Sequence, residues 1–365
     1  MRYAVLGAGL IGSAAARHLA TLGHDVTLIG PAEPEDWATH DGVFASHYDE
    51  GRITRQLDVS PFWSAVSVAS IERYAEIEET SNINFFNEVG GIYATADARI
   101  LLRTAEKAGT PFERLVPHDG ARFGYHLPST VRVLYEPEKA GHVSPRRLVA
   151  AQQKAAQKHG AKRMIEVVRK AGEDGKVHTD QGVHEFDEIL WAAGGFGAPH
   201  LDVPLEVQGR TVVFFEVTEA QATMPTLICA DGKLIDIYML PGIQYPDGKW
   251  YMKIGGGPHD RPLRTEAEMQ AWYKSGGDPE AAKALTAIFQ TLVPEVAVTS
   301  AHVKPCVTTY TPDLMPAIGR LSERVCVATA GCGRGAKCSD ELGRLGAMAL
   351  LGETDEALDP KRFKR

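Results

Sequence analysis

The apolar positions of residues 1–30 predict a strand, a glycine turn, a helix and a second strand in succession. Residues 3–6 are apolar or aromatic and run directly into a Gly-x-Gly-x-x-Gly turn. Apolar residues then recur at helical spacing over residues 13–22, and a second apolar run, residues 24–29, follows Gly23. In this order of elements, a Gly-x-Gly-x-x-Gly turn predicts binding of a dinucleotide.

The rest of the chain alternates between helical and strand-like patterns. Helical spacing of apolar residues predicts helices at residues 60–79, 99–109, 146–159, 265–274, 278–292 and 339–351. Apolar and alternating runs predict strands at residues 85–94, 164–168, 176–179, 183–186, 187–193, 209–217, 227–240, 249–255 and 324–328. The α/β patterning at both ends, with sheet-rich segments between, predicts a nucleotide-binding domain interrupted by a second, mostly antiparallel domain.

The composition is that of a globular protein of about two domains, with 365 residues, 44% hydrophobic and 24% charged. A net charge of −8 argues against binding of nucleic acid or anionic membranes, and no apolar run approaches the roughly 20 residues of a membrane span. The N-terminus enters a strand directly, so no signal peptide is expected. Five scattered cysteines, without metal-site spacing, predict reduced thiols in a cytoplasmic protein that holds no metal.

Each glycine of the opening turn has its own role in the predicted site. Gly7 permits the tight turn, Gly9 lets the backbone approach a pyrophosphate, and Gly12 lets the helix pack close to the strand. The helix N-terminus offers free N–H groups and a partial positive charge to the phosphates. The alternative is a glycine-rich turn in an α/β fold that binds no nucleotide.

One part of the dinucleotide fingerprint is missing. The residue that ends the second strand should be acidic and should hold the ribose hydroxyls, but it is Gly30. Glu33, Glu35 or a backbone group is a candidate replacement. A 2′-phosphate is not expected, because no Arg or Lys follows the strand.

Three further segments carry candidate chemistry. Residues 46–55 hold two arginines, three residues apart, beside a histidine, and these either face one anionic ligand or form a solvated basic loop. The strand predicted at residues 187–193 ends in paired glycines, which let the backbone pass close to a cofactor. Residues 331–337 form a second glycine-rich turn, directly before the last predicted helix.

Four motifs together resemble those of a known family. They are the N-terminal fingerprint, Arg-Ile-Thr-Arg at 52–55, Cys-x-x-x-Tyr-Thr-Pro-Asp at 306–313 and Gly-x-Gly-x-Lys at 333–337. The combination resembles the flavin-dependent amine oxidases of the monomeric sarcosine oxidase type, within the D-amino-acid oxidase and glycine oxidase superfamily. The resemblance implies an α/β fold: a Rossmann-type FAD-binding domain with an inserted, mostly antiparallel substrate domain, and the flavin ring at their junction.

The resemblance also implies a reaction. A secondary or tertiary amine, such as an N-substituted or cyclic amino acid, is oxidised to an imine that hydrolyses, and oxygen is reduced to hydrogen peroxide. The expected partners are therefore a small amine with a carboxylate, and oxygen, in a monomer or small homo-oligomer. The implied FAD-binding domain comprises residues 1–58, 142–203 and 300–365, and the implied substrate domain residues 59–141 and 204–299.

Individual residues take roles from the same resemblance. Arg55 and Lys337 match the residues that hold the substrate carboxylate, which suits a bidentate fork and a point charge. Lys253 matches the lysine that activates oxygen beside the flavin, and Cys306 matches the cysteine that bonds to the flavin ring. The implied cofactor-binding residues are Gly7, Gly9, Leu10, Ile11, Gly12, His47, Arg52, Val168, Gly194, Cys306, Gly333, Gly335 and Lys337.

Each charged or reactive candidate also has an ordinary structural alternative. Arg52 could pair with a structural carboxylate, Lys253 could point to solvent, and Lys337 could cap the glycine turn. Cys306 could be a buried core thiol. If Cys306 is instead a nucleophile, a cation must lower its pKa, and Lys304 is the candidate because alternate residues of a strand share a face.

Two departures from the family pattern predict a reshaped active site that suits an amine larger than sarcosine. Ala336 replaces a bulky residue, and Gly257 stands where a histidine is expected. Other functions compete with an amine oxidase. They are a flavin dehydrogenase of the same fold that passes electrons to a carrier, and a nucleotide-binding subunit without activity; a nicotinamide dehydrogenase is a weaker option.

Overall fold

The computed structural model describes residues 1–232, 236–256, 259–353 and residue 355. Within them the helices are α1 (Leu10–Thr21), α2 (Pro61–Glu72), α3 (Tyr74–Ser81), α4 (Arg99–Ala108), α5 (Pro145–Lys158), α6 (Gly194–Gly197), α7 (Glu266–Lys274), α8 (Pro279–Leu292) and α9 (Gly335–Leu350). The strands are β1 (Arg2–Leu6), β2 (Asp25–Gly30), β3 (Arg52–Thr54), β4 (Phe86–Asn87), β5 (Gly91–Thr95), β6 (Glu113–Leu115), β7 (Arg132–Glu136), β8 (Gly141–Val143), β9 (Lys162–Ile165), β10 (Val168–Ala171), β11 (Lys176–Thr179), β12 (Val183–Glu185), β13 (Glu188–Trp191), β14 (Glu206–Val217), β15 (Thr226–Ala230), β16 (Asp236–Gln244), β17 (Trp250–Gly256), β18 (Arg261–Leu263), β19 (Ser300–Tyr310), β20 (Ala317–Arg320) and β21 (Val325–Thr329).

The predicted strand–turn–helix–strand unit lies at the centre of a six-stranded sheet. Its strand order is β20-β21-β13-β1-β2-β9, and neighbours are parallel except for β20 with β21. Helices α1 and α9 pack against each other and against this sheet, and α5 packs against α1. One face of the sheet, with Val5, Leu28 and Leu190, is buried under these helices, and the other face is buried against residues of the small sheet β10-β11-β12. Because both faces are covered, the central strands are almost continuously apolar.

A second, nine-stranded sheet forms the other half of the molecule. Its order is β18-β14-β17-β16-β15-β5-β7-β6, with β19 also paired to β14. The pairs are antiparallel except for β15 with β5. Helix α8 packs on it through Phe289, whose ring stacks on Phe215 with centroids 3.8 Å apart. The predicted fold class, α/β with a Rossmann-type parallel sheet and a mostly antiparallel second sheet, is confirmed.

The long helix predicted at residues 60–79 is two helices, α2 and α3, which meet at Arg73. Ser60 caps α2 by accepting a bond from the Trp63 N–H, and Pro61 occupies the first helical position. At Arg73 the backbone N–H bonds to Ser70 O, a tighter turn that ends α2. The Arg73 side chain pairs with Asp340 of α9. This tertiary contact fixes the boundary between α2 and α3, which the pattern of apolar residues did not predict.

Two predicted strands are also divided, each at a glycine with positive φ. The strand predicted at 85–94 becomes β4 and β5 because Gly90 has φ +79°, and the two pieces join different sheets. The strand predicted at 227–240 becomes β15 and β16, with Gly232 (φ +73°) after the first piece. Positive φ suits glycine and ends the extended chain.

Strand β19 lies in the nine-stranded sheet, although the boundary predicted at residue 300 grouped it with the parallel sheet. It pairs with β14 in unbroken register from Glu206↔Tyr310 to Glu216↔Ser300. The chain therefore returns to the parallel sheet only after β19, at β20. The physical reason is the length of this ladder: eleven consecutive residues of β19 pair with β14, so the whole strand belongs to that sheet.

A small antiparallel sheet, β3-β8-β4, carries the arginines of residues 52–55. Strand β3 contacts α9 of the first half and β16 of the second. This position brings the basic segment to the junction of the two large sheets. No helix in the described ranges is long and apolar enough to cross a membrane.

Candidate active site

The turn between β1 and α1 is shaped by its glycines. Gly7 has φ +110°, and a Cβ there would lie 2.5 Å from the Ala192 carbonyl oxygen. A Cβ on Gly12 would collide with the Gly7 carbonyl. A Cβ on Gly9 would meet only the His47 Nδ1 atom, at 3.7 Å, so this position faces open space. Helix α1 begins without a side-chain cap, which leaves its first N–H groups available to an anion.

Gly30 cannot be replaced by the expected acid, because a Cβ there would lie 2.7 Å from the Ala8 backbone nitrogen. The glycine lets β2 pack directly on the opening turn. The Glu33 carboxylate does not face the cavity either, because both its oxygens accept hydrogen bonds from Arg146 at 2.7 Å. Glu35 is exposed and lies outside the cavity wall, whereas Arg169 lines it. The ribose end of the site is therefore not built on a carboxylate from these positions.

One cavity of about 360 Å³ begins at the glycine turn and extends along the junction of the two large sheets. It brings together most of the residues that the sequence singled out. Gly12 and Lys253 lie outside its wall, Gly12 in the helix–turn packing and Lys253 behind Gly51. The predicted residues that line the cavity are Gly7, Gly9, Leu10, Ile11, His47, Arg52, Arg55, Val168, Gly194, Cys306, Gly333, Gly335 and Lys337.

Some lining residues were missed by sequence reasoning. Arg210, Tyr238 and Tyr273 come from the second half of the chain, and nothing in their local sequence marks them. Arg334 lies in the second glycine-rich turn, and its position between two glycines could have marked it as a candidate site residue. Gly257, the position where a histidine was expected, lies outside the described residues.

At one end of the cavity, three cations converge on the buried carboxylate of Asp58. Lys337 Nζ donates to Asp58 Oδ2 at 3.0 Å, Arg334 Nε donates at 3.0 Å, and Arg55 Nη2 lies 3.6 Å away. Burial alone would raise the pKa of Asp58, but Lys337, Arg55 and Arg334 outweigh it and hold that pKa well below its usual range. Arg55 Nε is buried without a hydrogen-bond partner, so this guanidinium has a donor to offer to a bound molecule.

Lys253 does not point to solvent, and that alternative is wrong. Its side chain is fully buried, and Nζ donates to Asp49 Oδ2 at 2.6 Å and to the Gly51 carbonyl. Burial, reinforced by the nearby Arg52 guanidinium, lowers the pKa of Lys253 below its usual value. Asp49, which contacts it directly, stabilises the charged form.

Cys306 is a half-buried residue of the cavity wall rather than a fully buried core thiol. The cation in contact with it is Arg52, whose Nη2 lies 3.5 Å from Sγ. Lys304, the cation proposed from strand spacing, instead places Nζ 5.5 Å from the centre of the Phe214 ring. Arg52 also pairs with Asp49, so its two predicted roles, lining the site and pairing with a carboxylate, occur together.

Comparison with protein families decides the class. Residues 2–348 match the family described as "DAO: FAD dependent oxidoreductase". The chain belongs to this family. The oxidoreductase is therefore an enzyme that uses FAD, and a nucleotide-binding subunit without activity does not describe it.

Solved structures share the fold of this oxidoreductase at low sequence identity. L-proline dehydrogenase from P. horikoshii superposes with a TM-score of 0.80 at 18% identity, covering 100% of this chain and 98% of that one. Iminodiacetate oxidase from Chelativorans sp. BNC1 gives 0.73 at 20% identity, covering 99% and 98%. Glycine oxidase from Bacillus cereus ATCC 14579 gives 0.70 at 18% identity, covering 97% and 98%. No curated protein sequence matches.

The residues of the oxidoreductase fit FAD. The open face at Gly9 and the uncapped start of α1 suit a pyrophosphate, and the cavity continues from there to Arg52 and Cys306. Arg55, Arg334 and Lys337 also line the cavity, so part of its wall carries positive charge. When bound, the flavin accepts a hydride equivalent from a substrate.

Proposed function

We propose that this flavoenzyme oxidises a secondary or tertiary amine that carries a carboxylate, such as an N-substituted or cyclic amino acid. The product imine hydrolyses, and oxygen is reduced to hydrogen peroxide. The observation that carries the proposal is the group of cations in the cavity wall around Asp58, namely Arg55, Arg334 and Lys337. We assign residues 1–58, 142–203 and 300–365 to the flavin-binding domain and residues 59–141 and 204–299 to the substrate domain, with β19 of the former paired to β14 of the latter.

The substrate carboxylate binds between Arg55 and Lys337. Asp58 balances one of the three positive charges around it, so the cluster retains a positive surplus. The free Arg55 Nε offers a hydrogen bond. With its carboxylate fixed at this end, the substrate places its amine further along the cavity, toward Arg52 and Cys306.

Cys306 holds the flavin covalently, through a thioether to the 8-methyl carbon of the ring. The thiol and the methyl group each lose a hydrogen, and oxygen accepts the two electrons. The thiol adds to the ring as its thiolate, and a neighbouring cation stabilises that anion. Arg52, at 3.5 Å from Sγ, supplies that cation.

Lys253 assists the transfer of electrons to oxygen. A fixed positive charge stabilises superoxide as it forms, and it acts most strongly where water is excluded. Lys253 is fully buried. It lies one residue behind the cavity wall, since its ammonium binds the Gly51 carbonyl next to Arg52.

One observation favours a second candidate, an FAD dehydrogenase that passes electrons to a carrier. The ammonium of Lys253 is paired with the carboxylate of Asp49. This pairing reduces the net positive charge available to superoxide. The two candidates differ in the electron acceptor and share the amine half-reaction.

A spectroscopic experiment tests the proposal. The purified protein should show a flavin spectrum, and under anaerobic conditions the colour should bleach with one or more members of a panel of N-substituted and cyclic amino acids. Admission of air should then restore the colour and release hydrogen peroxide. Bleaching without peroxide selects the dehydrogenase, and a flavin that no amine bleaches refutes both candidates.

A further inference from the structure

A carboxylate beside the cavity, Asp49, joins two of the cations assigned to the flavin site. Its Oδ2 accepts a hydrogen bond from Lys253 Nζ at 2.6 Å and pairs with the Arg52 guanidinium. Its Oδ1 accepts from the Tyr245 hydroxyl at 2.6 Å, and its backbone oxygen accepts from the Arg146 N–H. Asp49 is thus held in place at the same time by the turn after β16, by β17 and by α5.

We propose that Asp49 is a positioning residue: it keeps the buried Lys253 ammonium charged and holds it, together with Arg52, in one fixed arrangement beside the cavity. The inference rests on the proposed function only in placing the flavin ring next to these cations. Within the described residues, Asp49 is the carboxylate that forms an ion pair with the Lys253 ammonium.

The need for a counter-ion follows from burial. An ammonium that is fully removed from water loses its proton unless a carboxylate or several acceptors compensate for the lost solvation. Besides Asp49, the hydrogen-bond acceptor of Lys253 is the Gly51 carbonyl. The Phe214 ring, with its centre 5.7 Å from Nζ, adds a weak attraction.

The other ionisable groups near Lys253 do not replace Asp49. Glu50 is committed to Ser144, at 2.7 Å, and to Arg146. Burial, followed by the charge of Lys253, lowers the pKa of His142 to about 3, so this ring is neutral. The charged and titratable groups that face Lys253 from the surrounding elements are Asp49, Glu50, Arg52, His142, Tyr245, Lys304 and Cys306.

The Asp49→Asn variant keeps the size of the side chain and removes its charge. Lys253 then faces Arg52 and Lys304 without a bonded carboxylate, so its ammonium deprotonates more readily. At neutral pH this variant should resemble the double variant Asp49→Asn/Lys253→Met, which shares the Asn and has no charge at position 253 at any pH. At lower pH the two should separate, because Lys253 can regain its proton.

Sulfite titration of the flavin-bound protein measures this charge without turnover. Sulfite adds to a flavin and leaves a negative charge on the ring, so a nearby cation tightens its binding. At neutral pH, wild type should bind sulfite roughly tenfold or more tightly than Lys253→Met. Asp49→Asn should match Asp49→Asn/Lys253→Met at neutral pH and bind sulfite more tightly than it as the pH is lowered, and Asp49→Glu should keep the pH profile of wild type.

Asp260→Asn is the matched control. It removes the carboxylate partner, at 2.6 Å, of another cavity-lining arginine, Arg210. Its pH profile of sulfite binding should be that of wild type, since Asp260 does not contact Lys253. A change as large as that in Asp49→Asn would show a general charge effect and overturn the specific role of Asp49.

The outcomes separate this inference from the proposed function. If Asp49→Asn binds sulfite more tightly than the double variant by the same factor at every pH, Lys253 keeps its charge without Asp49, and the role of Asp49 is refuted while that of Lys253 stands. If Lys253→Met binds sulfite as wild type does, Lys253 does not act on the flavin, and both fail. If Asp49→Asn does not fold, the double variant Asp49→Asn/Lys253→Met should fold, because no unpaired ammonium remains; its failure too would overturn the proposal.

Discussion

At the scale of single residues, charge in this protein is organised by two carboxylates, Asp49 and Asp58, that lie just behind the cavity wall. Each carboxylate pairs with cations that line or approach the cavity, so it fixes their positions and reduces the net positive charge of the cavity wall. If one of these cations is removed, the carboxylate still pairs with another cation. Binding effects can therefore be measured without exposing an unpaired buried charge.

The substrate clamp gives the first prediction. Arg55→Ala and Lys337→Ala should each weaken binding of a carboxylate inhibitor by about 1.5–3 kcal/mol, roughly one to two decades in Kd, because each loses one charge-assisted contact. Anaerobic titration followed by the flavin spectrum measures it. Lys274→Ala, which breaks a surface ion pair with Asp41, is the control. Unchanged affinity in both clamp variants would refute the clamp.

The second prediction concerns the thiol at Cys306. After acid precipitation of the holoenzyme, the yellow colour should stay with the pellet, and the protein mass should be increased by that of FAD. Cys306→Ala should release all flavin to the supernatant, and Arg52→Met should release most of it, because the thiolate loses its neighbouring cation. Cys326→Ala, which removes a buried thiol outside the cavity wall, is the control. Release of flavin from wild type would show that Cys306 only lines the site.

At the scale of elements, two glycines beside α1 have different functions. Gly343 lets α9 cross α1, since a Cβ there would lie 2.5 Å from the Ala14 Cβ and 2.6 Å from the Ala15 nitrogen. Gly9 meets no protein atom closer than 3.7 Å. One glycine therefore serves the fold, and the other serves the ligand.

This contrast gives the third prediction. Gly9→Val should yield a folded protein of near wild-type thermal stability in its flavin-free form, but without flavin, because the side chain fills the space of the pyrophosphate. Gly343→Val should instead lower the free energy of unfolding by about 1–3 kcal/mol or more, as overpacking does. Flavin content and thermal unfolding of both variants measure the difference. Full flavin content in Gly9→Val would contradict the assignment of the turn.

At the scale of the whole molecule, α9 ties the chain together through the buried carboxylate of Asp340. It accepts bonds from Arg17 of α1 and Gln152 of α5, both at 2.8 Å, and from Arg73 between α2 and α3. Burial would raise the pKa of Asp340, but the His18 hydrogen bond and the charges of Arg17 and Arg73 hold it well below the usual range. Segments distant in sequence therefore share one ionised group.

The fourth prediction is a loss of stability in acid. Because the folded-state pKa of Asp340 is depressed, its contribution is complete above the unfolded value of about 3.9 and is lost as the pH falls below that value toward the folded one. Asp340→Asn should cost about 3–5 kcal/mol at neutral pH, since it removes the carboxylate that lies 2.8 Å from the buried Arg17 guanidinium. Its stability should then fall less steeply than that of wild type between about pH 5 and pH 3. Urea unfolding at several pH values checks both statements, and parallel curves would refute the role of Asp340.

Local sequence pattern was sufficient for elements in which the buried side chains form an uninterrupted run or recur at regular helical spacing. The opening unit, the helices at residues 266–274 and 279–292 and the strand at residues 188–191 lie where apolar spacing predicts them. Their burial follows from periodicity, which each segment carries by itself. The geometry of the glycine turn is likewise predictable from the sequence, because Gly7 and Gly12 lie where no side chain fits.

The tertiary structure decided the charge partners and the boundaries. That Asp58 lies among Arg55, Arg334 and Lys337, or Asp49 between Lys253 and Arg52, depends on segments up to 279 residues apart. No local pattern encodes which carboxylate pairs with which cation, because the sequence around a charged residue is the same whether its side chain is paired or solvated. For the same reason the ladder of β19 with β14 and the break at Arg73 follow from long-range contacts, which neither segment carries in its own residues.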